Sequence, residues 1–219
     1  MRLQTFQLFF ERFLDKIMSR RKTNGPSLFT AVQTTNKELI ASLRKVLCKG
    51  IEENYYAKNY IVPLEEAHIT ITVFDTSDKE FARDEFNRVL EEHRHELSQM
   101  KADIEFTGLD HFGDKVLFAK PSDDGAGTMF LRKARDILEK EMIINNLNKM
   151  TNYCYNSYNP HLTLFHIKNA NHDGVDLIHL AKQYKGNVFG KNEVTSIQLC
   201  EIGRRSNDGY FTVIEEFIF

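Results

Sequence analysis

Residues 68–70 read His68-Ile69-Thr70 and residues 161–163 read His161-Leu162-Thr163. Each tripeptide sits in an apolar run with the composition of a β-strand, AHITITVFD and PHLTLFHI. Successive side chains of a strand point to opposite faces. His68 and Thr70 therefore share one face while Ile69, Ile71 and Val73 take the other. By the same alternation His161, Thr163 and Phe165 share a face against Leu162 and Leu164. A chain with two such strands must bury one face of each and leave His and Thr on the other. If the two strands face each other, they line a groove with paired imidazoles and hydroxyls, a set suited to phosphate chemistry.

Around these strands the order of elements is readable. Leu28 to Val32 predicts a strand. Thr35-Asn36-Lys37-Glu38 then forms a capping box that opens a helix burying Leu39, Leu43, Val46 and Leu47. Ser77-Asp78-Lys79-Glu80 forms a second capping box, and its helix would bury Phe86, Val89, Leu90 and Leu97. Two strands meet at Gly113-Asp114 in a hairpin running from about Ile104 to Lys120. A helix with Leu131, Ala134, Leu138 and Met142 on one side precedes the second His-Thr strand. A short helix near Val175–Lys182, a strand at Ser196–Ile202, a turn at Asn207-Asp208-Gly209 and a strand from Tyr210 onward complete the chain. Helices mixed with hairpins, without a regular βαβ rhythm, give an α+β class.

At 219 residues the chain is long enough for a sizeable core, and a formal charge of −2 does not recommend nucleic acid as a partner through global charge. Cys48, Cys154 and Cys200 are widely spaced with no CxxC pair, which argues against a disulfide framework and a cysteine-rich zinc site. A reducing compartment, cytoplasmic or nuclear, is the expected location.

Residues 1–24 read as a separate unit, with the main domain at 25–219. Leu3, Phe6, Phe10, Phe13, Leu14 and Ile17 lie at helical spacing, so an amphipathic helix is expected over 2–19. Gln7, Glu11, Arg12, Asp15 and Lys16 interrupt it too often for a transmembrane segment. Arg20-Arg21-Lys22 and Thr23-Asn24-Gly25-Pro26 then read as a helix stop and linker. The helix packs on the domain, binds a partner or a membrane surface, or serves as an organelle-targeting segment. Glu11 and Asp15 count against the last.

Cleaving a phosphodiester takes a base to deprotonate the attacking hydroxyl or water and an acid to protonate the departing oxygen. Histidine titrates near neutrality, so one ring can start neutral and the other protonated. Two strands facing each other place the rings on opposite sides of the phosphorus, as in-line displacement requires. Thr70 and Thr163 would donate hydrogen bonds to the non-bridging oxygens. Neither an H-E-x-x-H motif nor a His/Cys/Cys set is present, so no metal and no other cofactor is expected. Phe165 shares the face of His161 by alternation and could stack on a base, or it lies in the core beside Phe118. Tyr210 and the Arg204-Arg205 pair flank the last hairpin and could reach a ligand, although a solvated turn explains the arginines better. Alternation turns His166 away from His161, and His93, His95, His111, His172 and His179 fall on helices or turns.

These motifs resemble the two-histidine (2H) phosphoesterases, which carry two sequences of the form His-x-Thr/Ser-x flanked by apolar residues. Here they match His68-Ile69-Thr70-Ile71 and His161-Leu162-Thr163-Leu164, with Asn159-Pro160 before the second also similar to the family. LFTAVQTTNKE at 28–38, FTGLDHFGDKVLFAK at 106–120, NPHLTLFHIK at 159–168, SIQLCEI at 196–202 and SNDGYF at 206–211 extend the resemblance to the central domain of the A-kinase anchoring proteins of the seven/eighteen type. The resemblance implies a two-lobed, LigT-like α+β fold with antiparallel sheets lining a central groove and helices outside. It implies His68 and His161 as the acid–base pair and Thr70 and Thr163 as phosphate binders. The substrates it implies are 2′,5′-linked oligoadenylate, 2′,3′-cyclic phosphates or RNA 3′ ends. It equally allows a regulatory domain that binds AMP or a related nucleotide with little turnover. Those anchoring proteins hold the kinase regulatory subunit through a helix after this domain. Residues 1–219 show no match to it, so kinase anchoring is not expected.

Overall fold

The computed structural model describes residues 27–152, 158–168 and 173–219. The amphipathic stretch at 2–19, its linker and the boundary at residue 24 lie outside the described residues, as do Cys154 and His172. Strand β1 (Ser27–Gln33) leads into helix α1 (Lys37–Glu53), and two short 3-10 turns lead into β2 (His68–Asp75). Helices α2 (Lys79–Glu92) and α3 (Arg94–Met100) follow, then the hairpin of β3 (Ile104–Phe112) and β4 (Val116–Pro121). Helix α4 (Ala126–Ile137) widens into a π-helical turn at Leu138–Ile143. The remainder is β5 (Thr151–Asn152), β6 (Leu162–His166), α5 (Leu177–Gln183), β7 (Val188–Asn192), β8 (Ser196–Arg205) and β9 (Phe211–Ile218).

The strands form two antiparallel sheets, β5-β2-β1-β8-β9 and β6-β4-β3-β7. Helices α2 and α4 pack on the first sheet, against β9 and β2, while α1 and α5 pack on the second, against β7 and β3. This is the two-lobed α+β arrangement. Helix α1 buries Leu39, Leu43, Val46 and Leu47, spaced to form one apolar stripe. Both capping boxes start one residue later than the sequence reading places them. Asn36 and Asp78, not Thr35 and Ser77, accept from the backbone N–H three residues on, each at 2.9 Å. Leu97 is buried, but on α3, because the chain breaks out of the helix at His93. Strand β7 escapes sequence reading: VFGKN carries a glycine at φ 133° and an exposed valine, so no alternation marks it.

Asn192, fully buried at the end of β7, ties the two sheets together. Its side-chain oxygen accepts from the N–H of Thr35 at 2.9 Å and of Asn36 at 3.3 Å, and its amide donates to the Gln33 carbonyl at 3.0 Å. The far end of β1 is thus bonded to an edge strand of the other sheet.

Both motif strands contain a β-bulge, and both bulges fall directly after the threonine. Against β1, Thr70 pairs with Ala31 and Thr72 with Thr30, leaving Ile71 extra. Against β4, Thr163 pairs with Phe118 and Phe165 with Leu117, leaving Leu164 extra. A bulge shifts the alternation by one position. Val73 therefore does not face the core with Ile69 and Ile71. It packs instead with Phe29 and Phe211 on the opposite side of the sheet.

Helix α4 begins in close contact with the chain leading into β3. A Cβ on Gly127 would lie 2.5 Å from the Asp103 carbonyl oxygen and 2.7 Å from the Ile104 Cα. Gly127→Ala raises helix propensity by roughly 1 kcal/mol, yet the clash is expected to lower stability by about 1–3 kcal/mol. Urea unfolding reads the sign, and a variant as stable as the wild type would contradict this packing.

Candidate active site

The two motif histidines have the same local construction. His68 directs Nδ1 at the carbonyl of Glu66, two residues earlier, at 2.6 Å. His161 directs Nδ1 at the carbonyl of Asn159, again two residues earlier, at 2.8 Å. A carbonyl oxygen only accepts, so each neutral ring carries its proton on Nδ1 and keeps Nε2 as the basic nitrogen. In His68 that Nε2 lies 3.1 Å from the Thr70 hydroxyl. Each ring is also framed by two phenylalanines. His68 lies against Phe29 and Phe211, with centroids at 5.2 and 5.0 Å, and His161 against Phe112 and Phe118 at 5.1 and 5.2 Å.

The two halves of the site are joined. The Tyr158 hydroxyl, just before the second motif, donates to the Thr70 carbonyl at 2.9 Å. The backbone ahead of the first motif reaches the second strand, where the Val62 N–H donates to the carbonyl of the bulge residue Leu164 at 2.9 Å. Thr163 shares a face with Phe118, its cross-strand partner, and so joins the His161 side of the site.

Electrostatics follow from this packing. Burial pushes His68 from the ordinary 6.5 down to about 4. The bond to the Glu66 carbonyl opposes that shift, while His161 and Arg205 add to it as nearby cations. Burial likewise lowers His161, against the pull of the Asn159 carbonyl. In the ligand-free protein both rings therefore lean toward the neutral form. A phosphodiester anion would reverse that preference for whichever ring it approached.

Of the sequence-predicted residues, His68 and His161 lie near enough for one to act on the other's charge, Thr70 accompanies His68 at 3.1 Å, and Thr163 lies on the face of Phe118, which touches His161. Phe165 does not join them. The bulge at Leu164 turns Phe165 into the core opposite Leu117, fully buried, where its ring meets helix α1 at Gly50. The same bulge corrects the reading of His166. It pairs with Val116, which shares the face of Phe112 and Phe118, so His166 lies on the same face as Thr163. Tyr210 is 3% exposed and packs beneath Phe211, too deep to contact a ligand. The thiol of Cys200 is pushed by burial up to about 12, which leaves no ready thiolate.

The Arg204-Arg205 pair of the sequence reading is found in ion pairs with acidic side chains. Arg205 stacks over Phe211 at 3.8 Å and makes a bidentate pair with Glu66, at 2.8 and 2.7 Å. It thereby holds the residue whose carbonyl holds His68. Arg204 pairs with Glu201 at 3.1 Å. Of the framing rings, Phe29 and Phe211 lie far from the motifs in sequence, and only pairing registers bring them in. Among the described residues, no three His, Cys, Asp or Glu side chains converge to hold a metal ion, and no helix is long and apolar enough to cross a membrane.

The profile of the AKAP7 2'5' RNA ligase-like domain matches residues 26–219. Human A-kinase anchor protein 7 isoform gamma is 24% identical over 209 residues, which is 90% of this chain and 58% of that protein. The chain thus spans less than two thirds of that relative's length. The TT0787 protein of Thermus thermophilus superposes with a TM-score of 0.60 at 18% identity, over 88% of this chain and 97% of that one. E. coli LigT complexed with 3'-AMP gives 0.52 at 13% identity, over 89% of this chain and 98% of LigT.

The half-buried His68, held toward its neutral form, makes folding pH-dependent. Between pH 6.5 and about 4 the unfolded chain binds a proton at this residue that the folded chain refuses. This contribution to stability is therefore complete above pH 6.5 and lost as the pH falls toward 4. Urea midpoints measured across that window are expected to fall more steeply for the wild type than for His68→Gln. Parallel curves would contradict the destabilised imidazolium.

Proposed function

The chain belongs to the AKAP7 2'5' RNA ligase-like domain family within the 2H phosphoesterases, and from that premise we propose that it is a phosphodiesterase acting without a metal on nucleotide substrates. The substrates proposed are 2′,5′-linked oligoadenylate, 2′,3′-cyclic phosphates or RNA 3′ ends. The observation that carries this reading is the twin construction of the histidines: each Nδ1 is bonded to a carbonyl two residues earlier, so the proton of each neutral ring sits on Nδ1 and Nε2 is the basic nitrogen.

In the proposed reaction the phosphodiester lies between the two rings, with Thr70 and Thr163 donating to its non-bridging oxygens. One Nε2 takes the proton from the attacking group. This is the neighbouring ribose hydroxyl for an internal linkage, or water for a cyclic phosphate. The new P–O bond forms as the bond to the departing oxygen breaks. That oxygen takes a proton from the other imidazolium, and the two rings end with their roles exchanged. Each Nδ1–carbonyl bond supports the ring when it turns cationic, since the carbonyl dipole favours the extra charge.

A second reading has its own observation. Both rings are pushed toward neutrality in the free protein, so no acid is preset. A nucleotide-binding domain with little turnover would show the same groove. E. coli LigT, with the same fold, was solved in complex with 3'-AMP.

Incubation with 2′,5′-linked, 3′,5′-linked and 2′,3′-cyclic adenylates in EDTA separates the readings. The phosphodiesterase cleaves at least one of them, and His68→Ala or His161→Ala lowers kcat by about 10²–10⁴-fold with little change in KM. Nucleotide binding without cleavage would favour the second reading. Cleavage abolished by EDTA would contradict the metal-free mechanism.

A further inference from the structure

The bulge at Leu164 places His166 on the groove face, where the acid–base chemistry does not use it. Its cross-strand partner Val116 is paired on the other side with Phe112, and Phe112 touches both Phe118 and His161. The half-buried His166 ring thus continues the surface that begins at His161 and Thr163. Because Leu164 is the extra residue of the bulge, His166 stands only two ladder positions from Thr163, opposite Val116 where Thr163 is opposite Phe118, a distance of roughly 7 Å at ~3.3 Å per position.

Two lysines flank this ring. The Ile167 N–H donates to the Lys115 carbonyl at 2.7 Å, which clips the end of β6 to the β3–β4 turn. That clip brings the backbone of Lys115 beside His166, and Lys168, two residues further on, is exposed. Both ammonium groups are near enough that, after burial, they hold the imidazole below its ordinary pKa. Asp110, an acidic residue of the same face, lies on β3, two strands away from β6. This end of the face therefore carries an imidazole and two ammonium groups, with the exposed carboxylate of Asp114 next to Lys115 in the turn. It adjoins the phosphate placed at Thr163, one side chain further along the same face.

We propose that His166, Lys115 and Lys168 form a second phosphate subsite, which binds a phosphate of the substrate other than the one being cleaved. The reading rests on the proposed function and narrows it: the preferred substrate is an oligonucleotide or a terminally phosphorylated nucleotide rather than a bare cyclic mononucleotide. An added phosphate bound there anchors the chain and fixes which of its linkages sits between His68 and His161. Lysine ammonium groups give this subsite charge without base selectivity.

The test compares one 2′,5′-linked diadenylate in three forms, without a terminal phosphate, with a 5′-phosphate and with a phosphate on its other terminus. Affinities are read by calorimetry in the His68→Ala, His161→Ala background and cleavage in the parent protein. At least one phosphorylated form is expected to bind about tenfold more tightly than the unphosphorylated one. His166→Gln with Lys168→Ala removes that preference and leaves the unphosphorylated form unaffected. Lys168→Ala alone, an exposed change that spares the fold, removes part of it, and Lys168→Arg restores it. The salt dependence of binding falls by roughly 0.7 in log–log slope for each cation removed from the subsite. Equal affinity for all three forms, or a preference that survives the double variant, would overturn the subsite. Preference without any cleavage would uphold the subsite and reject the phosphodiesterase.

Discussion

Each motif strand slips by one residue directly after its threonine, and the composition of the groove depends on that slip. Before the bulge, His and Thr alternate with core residues as any half-buried strand does. After it, Phe74 and Phe165 fall into the core while Val73 and His166 turn to the groove. Without the slip, a phenylalanine would take the place of the second imidazole on the β6 face, and the first sheet would lose an apolar side chain beside Phe29. Bulges disrupt local pairing, and such irregularities cluster where side chains must be aimed. Here the backbone group of one bulge residue is recovered, because the Leu164 carbonyl accepts from Val62.

The aim is sharpened by the groups around each ring. A carbonyl two residues earlier fixes the proton on Nδ1, and two phenylalanines limit the ring's rotation and exclude water. Exclusion of water lowers the affinity of His68 for a proton. The same low-dielectric setting strengthens the attraction between an imidazolium and a phosphate once a ligand is bound. Arg205 contributes at one remove, through its fork to Glu66. Its positive charge further discourages protonation of His68 in the absence of an anion.

Much of this was legible in the residues. The paired tripeptides, the stripe of α1, the hairpin about Gly113 and the short helix before β7 follow from periodicity and turn chemistry. What sequence alone missed is non-local. Alternation places Phe165 beside His161 and turns His166 away, and both assignments fail on a single extra residue that only the β4 register reveals. Tyr210 reads as an accessible ring at the end of a turn, yet the sheet closes over it. The framing phenylalanines come from β1, β3, β4 and β9, and no local pattern announces that Phe29 and Phe211 would meet at His68. The buried Asn192 looks like an ordinary polar residue near a turn until its side-chain amide is seen joining two sheets.

The central claim is that the two histidines are matched, Nδ1-protonated bases held in one groove. Long-range proton–nitrogen NMR of the imidazole rings, assigned with His68→Gln and His161→Gln, reads this directly. Neutral rings with the proton on Nδ1 are expected at neutral pH, as is a His68 that stays neutral at about pH 5, between its ordinary 6.5 and the depressed value of about 4. Addition of a nucleotide monophosphate is expected to convert one of the two rings to the imidazolium. A proton found on Nε2, or a His68 that titrates at its ordinary midpoint whether or not nucleotide is present, would contradict the claim.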